Sequence, residues 1–258
     1  MDSSPLPNEL LILWWVIPIL LVLILVRLLT AARSRAWRGE GFVRSAARRW
    51  LPEESYRALH NVTLPTLDGT TQIDHIIVSR FGIFVLETKA MTGWIFGGEN
   101  QARWTQKIFH SSYRFQNPLR QNYKHIKALE AALGGPSSSI HSVVVFVGDS
   151  TFMTAMPANV TQGFEFINYI QSFRDPILSD SQVQDALAMI QAVRLPPTRK
   201  TDREHVMHLE ARADPFSSRQ CPRCGSAMVV RTAKRGSNAG NQFWGCSAYP
   251  RCRIVQNM

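Results

Sequence analysis

Cysteine is missing from the first 220 residues of this 258-residue chain, and acidic residues are few, with 19 Asp and Glu against 29 Lys and Arg. The first absence confines any disulfide or thiolate metal site to the C-terminal end. The second leaves a net charge of +10 and a pI of about 10.0, which favours an anionic partner, either nucleic acid or a lipid surface. Charge is also absent from Leu10 to Val26, LLILWWVIPILLVLILV. The remaining composition, 45% hydrophobic and 19% charged, supports one full α/β core with smaller appendages.

Extended by Leu28 and Leu29 beyond Arg27, the apolar run is long enough to cross a hydrocarbon layer of about 30 Å as a helix. Residues 10–32 are therefore expected to form one transmembrane helix, in which Pro18 is tolerated and Trp14 and Trp15 lie near an interface. Asp2 and Glu9 precede the run, whereas Arg27, Arg33, Arg35 and Arg38 follow it. The positive-inside rule then predicts a single-pass protein of the bacterial inner membrane with its soluble domains in the cytoplasm. A cleaved signal peptide is the competing reading, with small residues at Thr30, Ala31 and Ala32; it lacks a positive start and has its arginines on the wrong side for export.

The stretch Thr70 to Gly98 organises the core. Gln72 to Val78 and Ile83 to Lys89 read as strands around a turn at Ser79 to Gly82. Alternation puts Glu87 and Lys89 on one face with Ile83 and Val85, and Asp74 on one face with Ile76 and Val78. A hairpin can then gather Asp74, Glu87 and Lys89. Two carboxylates supply hard oxygen ligands for Mg²⁺ or Mn²⁺, and a lysine orients water or stabilises phosphate charge. An exposed Glu–Lys ion pair is the bland alternative, weakened by the apolar residues that share the face.

Around this hairpin the periodicity predicts an amphipathic helix from Gly39 through Trp50, with Glu40 at the start of its buried face. A carboxylate there also suits the helix dipole, without any further role. Asn61 to Leu64 begins a strand, and Gly93 to Gly98 with Trp104 suggests a turn and a short strand. Asn117-Pro118 opens a second helix. On it Gln121 and His125 share a face; with Gln106 they either touch a nucleic-acid phosphate, order an active-site water, or sit as plain surface residues. His75 points away from Asp74 and reads as a packed histidine. Ser142 to Val147 is a buried strand of the parallel type, Asp180 to Val193 a closing helix, and Thr198 to Gln220 a polar linker whose His205 and His208 read as surface residues.

The blocks GTTQIDHIIVSRFGIFVLETK, GWIFGGE, WTQ and FQNPLRQNYKHIKAL, in that order, resemble the NERD (nuclease-related) domain, related to nucleases of the PD-(D/E)xK type. The resemblance implies an α/β fold with a nuclease-like core of mixed sheet flanked by helices. It also implies Asp74 as the motif aspartate, Glu87 and Lys89 as its E-x-K, and Glu40 as the helical acid, serving a Mg²⁺- or Mn²⁺-dependent hydrolysis of DNA. A DNA-binding tether without catalysis is the rival function.

Cys221 and Cys224 in CPRCG, then Cys246 and Cys252 in GCSAYPRC, have the spacing of two knuckles closing on one Zn²⁺; disulfides compete and are disfavoured in a reducing cytoplasm. The segment resembles the zinc fingers appended to bacterial type IA DNA topoisomerases, which implies single-stranded DNA as partner and carries no topoisomerase catalysis with it. Arg231, Lys234 and Arg235 lie in a stretch without a single acid, and Trp244 and Tyr249 offer faces for base stacking, of which at least one is expected to touch nucleic acid. No small-molecule cofactor is implied. The expected order is transmembrane helix 10–32, nuclease-like domain 39–150, extension 151–195, linker 196–218 and C4 zinc finger 219–258.

Overall fold

The computed structural model describes residues 38–66, 69–135, 137–213, 219–221, 223–235 and 239–257, together with Leu20. The expected membrane span, 10–32, lies outside the described residues apart from Leu20. Among the described residues no helix is long and apolar enough to cross a membrane. The protein is a mixed α/β structure whose chain divides into two compact units.

One unit gathers residues 53–87, 119–143 and 173–258. Its sheet starts with β1 (Tyr56–Thr66) and β2 (Gly69–Ser79), followed by the greater part of β3 (Gly82–Ala90). The β2–β3 turn needs Gly82, whose φ is +137° and where a Cβ would stand 2.7 Å from the ring of His141. The hairpin pairs Val78 with Ile83, Ile76 with Val85 and His75 with Leu86. Helix α2 (Pro118–Ala132) and α4 (Asp180–Val193) cover one face. There Ile76, Val78, Ile83 and Val85 meet Ala128 and Leu129 of α2 and Val183, Ala186 and Ile190 of α4. Helix α4 has the bounds its pattern foretold. Its start is fixed by a capping box between Ser179 and Gln182, which satisfies two orphan donors at once. Residues 199–213, expected within a linker, form helix α5 (Arg199–Ala213), and its His205 and His208 reach Thr70 Oγ1 at 2.9 and 3.3 Å. They are thus half-buried contacts on β2 and not plain surface residues.

The other unit comprises residues up to 52, 88–118 and 144–172. It holds α1, helical over residues 38–50, and a four-stranded sheet in the order β6 (Ser111–Gln116), β5 (Arg103–Ile108), β4 (Gly93–Phe96), β8 (Ser150–Phe152). Its core is aromatic: Trp104 stacks on Phe146 at 6.1 Å, and Phe152 meets Phe146 edge-on. Gly97 has no room for a Cβ because the Trp104 ring lies directly against it. The Asn117 amide ties the preceding loop by reaching the carbonyls of Gly98, Glu99 and Gln101. The end of β7 (Ile140–Val147) pairs in parallel with β9 (Val160–Gln162), as a fully buried strand should. Helix α3 (Glu165–Gln171) follows. Three strands stand where the sequence suggested one, because β5 and β6 each leave a polar face in water.

Candidate functional site

Glu87 is buried, 2% exposed, at the point where the apolar hairpin gives way to polar residues. Alternation from Val85 aims it at the face covered by α2, and there His125 Nε2 lies 3.1 Å from its Oε2. The opposite ring nitrogen, Nδ1, is 2.8 Å from the hydroxyl of buried Thr71. His125 thus bridges the Thr71 hydroxyl and the Glu87 carboxylate, so strand β2 fixes the imidazole and the imidazole fixes the carboxylate. One turn earlier on α2, the amide of fully buried Asn122 reaches Val85 O at 2.8 Å, Ser142 Oγ at 2.9 Å and Val143 O at 3.2 Å, pinning the helix to the sheet behind Glu87.

Asp74 is half-buried on β2, one residue past the last β2–β3 pair, as Glu87 is on β3. Strict alternation does not persist there. Ile73 enters the same core cluster as Ile76 and Val78, which a regular strand forbids, so the phase slips at Asp74. On β1 the register is the same before and after, with His60 opposite His75 and Val62 opposite Ile73, and Asn61 between them has a φ of +50°. An asparagine tolerates that left-handed backbone better than most residues. The irregular backbone of β1 therefore lies opposite Asp74. His75 points to the far face as expected, 1% exposed, with its Nδ1 2.8 Å from Nδ1 of His60.

Lys89 and Glu40 belong to the other unit, where both are half-buried. Gly39 packs so closely on β3 that an added Cβ would stand 3.0 Å from Ala90 Cβ and 3.4 Å from Thr88 Cγ2. That contact sets the first turn of α1, with Glu40 in it, at the end of β3 that carries Lys89.

Two of these expectations change. His125 is 5% exposed, so its place is behind Glu87 and direct contact with a phosphate backbone is excluded by burial. Its position three and four residues before the buried Ala128 and Leu129 was the available signal. Gln106 donates to Thr92 O at 2.7 Å and braces the β4–β5 pair instead of facing a ligand. Gln121 is half-buried beside His125. Thr71 and Asn122, which complete the site, carried no signal beyond their place on those same faces.

The second site is the metal centre. Strands β10 (Arg219–Gln220), β11 (Ala227–Thr232), β12 (Gln242–Cys246) and β13 (Val255–Asn257) form an antiparallel ribbon. It brings the sulfurs of Cys221, Cys224, Cys246 and Cys252 within 4.8 Å of one another, the group of three or more candidate ligands found among the described residues. Cys221 and Cys252 are 3.6 Å apart and Cys224 and Cys246 3.4 Å. A disulfide needs about 2.05 Å, whereas a tetrahedron of Zn–S bonds of about 2.3 Å has edges of about 3.8 Å. Four cysteines in this arrangement fit a structural zinc ion. Hydrogen bonds from Ser226 pull the Cys224 thiol down to about 6, while burial pushes Cys246 up to about 12.

Residues 35–147 match the Nuclease-related domain family, and residues 218–258 match the Topoisomerase DNA binding C4 zinc finger. The chain carries both modules. An uncharacterized protein of Bacillus anthracis is 46% identical over 117 residues, covering 43% of this chain and 55% of that relative. The chain thus spans about half the length of the curated relative it matches. No solved structure matches it.

Within the zinc module Trp244 is core: 4% exposed, it packs with Cys221, Met228, Cys246 and Cys252. Its expected stacking role is thereby corrected, for a ribbon this small needs the indole to cover its metal site. Tyr249 is the exposed ring, 58% accessible, with the Arg231 guanidinium 5.6 Å from its centre. Arg231 crosses Gly245, where a Cβ would come within 3.0 Å of its Cδ. Lys234 and Arg235 are exposed beyond it.

Proposed function

We propose that the protein is a membrane-anchored nuclease that hydrolyses DNA phosphodiester bonds with a divalent cation, on a core of the PD-(D/E)xK type, and that its zinc module holds single-stranded DNA. The observation that carries this reading is the buried Glu87, positioned by His125 and Thr71 at the mouth of an apolar hairpin beside the phase slip at Asp74. A buried carboxylate positioned by a second residue suits a metal ligand better than a surface ion pair. Asp74 and Glu87 would hold Mg²⁺ or Mn²⁺, which supplies Lewis-acid polarisation of the phosphoryl group. Lys89 would orient the attacking water and Glu40 would assist from α1. The apolar run Leu10 to Val26 and the arginines after it support anchorage at the inner membrane through residues 10–32, with the catalytic body in the cytoplasm. Tyr249, Arg231, Lys234 and Arg235 form the aromatic and basic surface of the zinc module that would take single-stranded DNA.

A DNA tether without catalysis is the second reading, favoured by one observation: the Glu87 carboxylate already engages His125 and is nearly closed to solvent. Incubating the protein with end-labelled single- and double-stranded DNA, with and without Mg²⁺ or Mn²⁺, separates the two. Metal-dependent product is expected; retention of intact DNA under every metal condition would leave the tether.

A further inference from the structure

The sheet β6-β5-β4-β8 turns one face to the core and one to water. Ile95 and Trp104 point inward and are fully buried. Alternation therefore sends Trp94 and Phe96 from β4, Arg103, Thr105 and Lys107 from β5, and Arg114 from β6 to the opposite face. The register makes these neighbours: Trp94 beside Lys107, Phe96 beside Thr105, and Thr105 beside Arg114. Trp94 is 49% exposed, and the Lys107 ammonium lies 5.8 Å from its ring centre. None of the four strands contains an acidic residue.

We propose that this face binds single-stranded nucleic acid, with Trp94 stacking on a base and Lys107, Arg103 and Arg114 meeting backbone phosphates. Charge complementarity selects an anionic occupant, since three cations on one small sheet face have no acid among them. The exposed indole selects a strand over a duplex, because an aromatic ring can stack only on a base freed from its partner. Lys107 already lies over the ring, where it can pass to the phosphate next to a stacked base while remaining near the indole. Phe96 and Thr105 give the neighbouring base a flat support. This surface uses none of the zinc module's residues, and it needs neither Glu87 nor a divalent cation, so it stands or falls independently of hydrolysis.

The test uses the full chain without added divalent metal and follows the fluorescence anisotropy of labelled dT and rU 20-mers and of a DNA duplex. Trp94→Ala is expected to weaken strand binding about tenfold, the loss of one stacked base, and Trp94→Phe to recover most of it. Joint Lys107→Ala and Arg114→Ala exchange should lower the slope of log K against log salt by about 1.4, two single-strand phosphate contacts. Ultraviolet crosslinking should yield adducts within residues 93–116. A preference shared by dT and rU supports sequence-tolerant stacking. Wild-type affinity in Trp94→Ala, an unchanged salt slope in the double variant, or crosslinks confined to 218–258 would overturn the proposal. Should Trp94→Ala fail to fold, the salt slope and the crosslinks decide.

Discussion

Two antiparallel hairpins carry the two candidate sites, and they are held together by different means. The β2–β3 hairpin is gripped by α2 and α4 through a continuous aliphatic layer, and its buried Glu87 carboxylate is held by His125, which Thr71 holds in turn. The β11–β12 hairpin has little to bury: Met228, Trp244 and three of the cysteines are its core. In the first, packing and hydrogen bonds position the carboxylate without any ion. In the second, the ion takes the place of packing.

The contrast is broken most severely at the zinc module. Cys246→Ser, or a strong chelator, should unfold residues 219–257 while leaving the β2–β3 core intact, because metal binding worth on the order of 10 kcal/mol is folding free energy in so small a ribbon. Proteolysis is the readout: rapid cleavage confined to the ribbon is expected, and simultaneous loss of the core would show that the two do not fold separately. Acid should act in the same direction, since protons compete with zinc for thiolates.

Next in size is His125→Ala. It removes the imidazole from a carboxylate that is 2% exposed, and should cost about 3 kcal/mol in urea denaturation with or without zinc. A loss below about 0.5 kcal/mol, the range of ordinary surface substitutions, would show that His125 does not hold Glu87.

Tyr249→Ala should weaken single-stranded DNA binding by about 1 to 3 kcal/mol without altering zinc content. An unchanged affinity would move the nucleic-acid contact of the zinc module elsewhere.

The smallest effect is expected at His141. Burial lowers its pKa below 6.5, and its Nε2 is enclosed without a hydrogen-bond partner beside Phe84 and Phe173. The unfolded chain therefore takes up the proton first, so stability falls as pH drops below about 6.5. His141→Phe should flatten that acid limb in urea titrations at pH 5 to 7; an unaltered limb would assign it to other groups.

Much of the β2–β3 core was legible because its signals are local. The β2–β3 turn, the proline opening α2 and the capping box of α4 each lie within a few residues of one another, and the apolar alternation of Ile76, Val78, Ile83 and Val85 fixes the face. What escaped depends on distant partners. Helix α5 has no apolar stripe, and its histidines find Thr70 across more than 130 residues. Strands β5 and β6 were hidden by their polar faces. Trp244 and Tyr249 are both aromatic and close in sequence, and only the folded ribbon shows that one is core and the other surface. The phase slip at Asp74 is likewise invisible in a run of residues that all favour strands.

The measurement that bears most directly on a nuclease built at Asp74, Glu87 and Lys89 compares DNA cleavage and DNA binding by wild type and Lys89→Ala in Mg²⁺. Lys89 lies outside the buried Glu87–His125–Thr71 network, so its exchange leaves those hydrogen bonds in place. Cleavage lost in Lys89→Ala, with binding retained, is the expected result. Cleavage that survives the substitution, or tight binding with no cleavage by either protein, would contradict it.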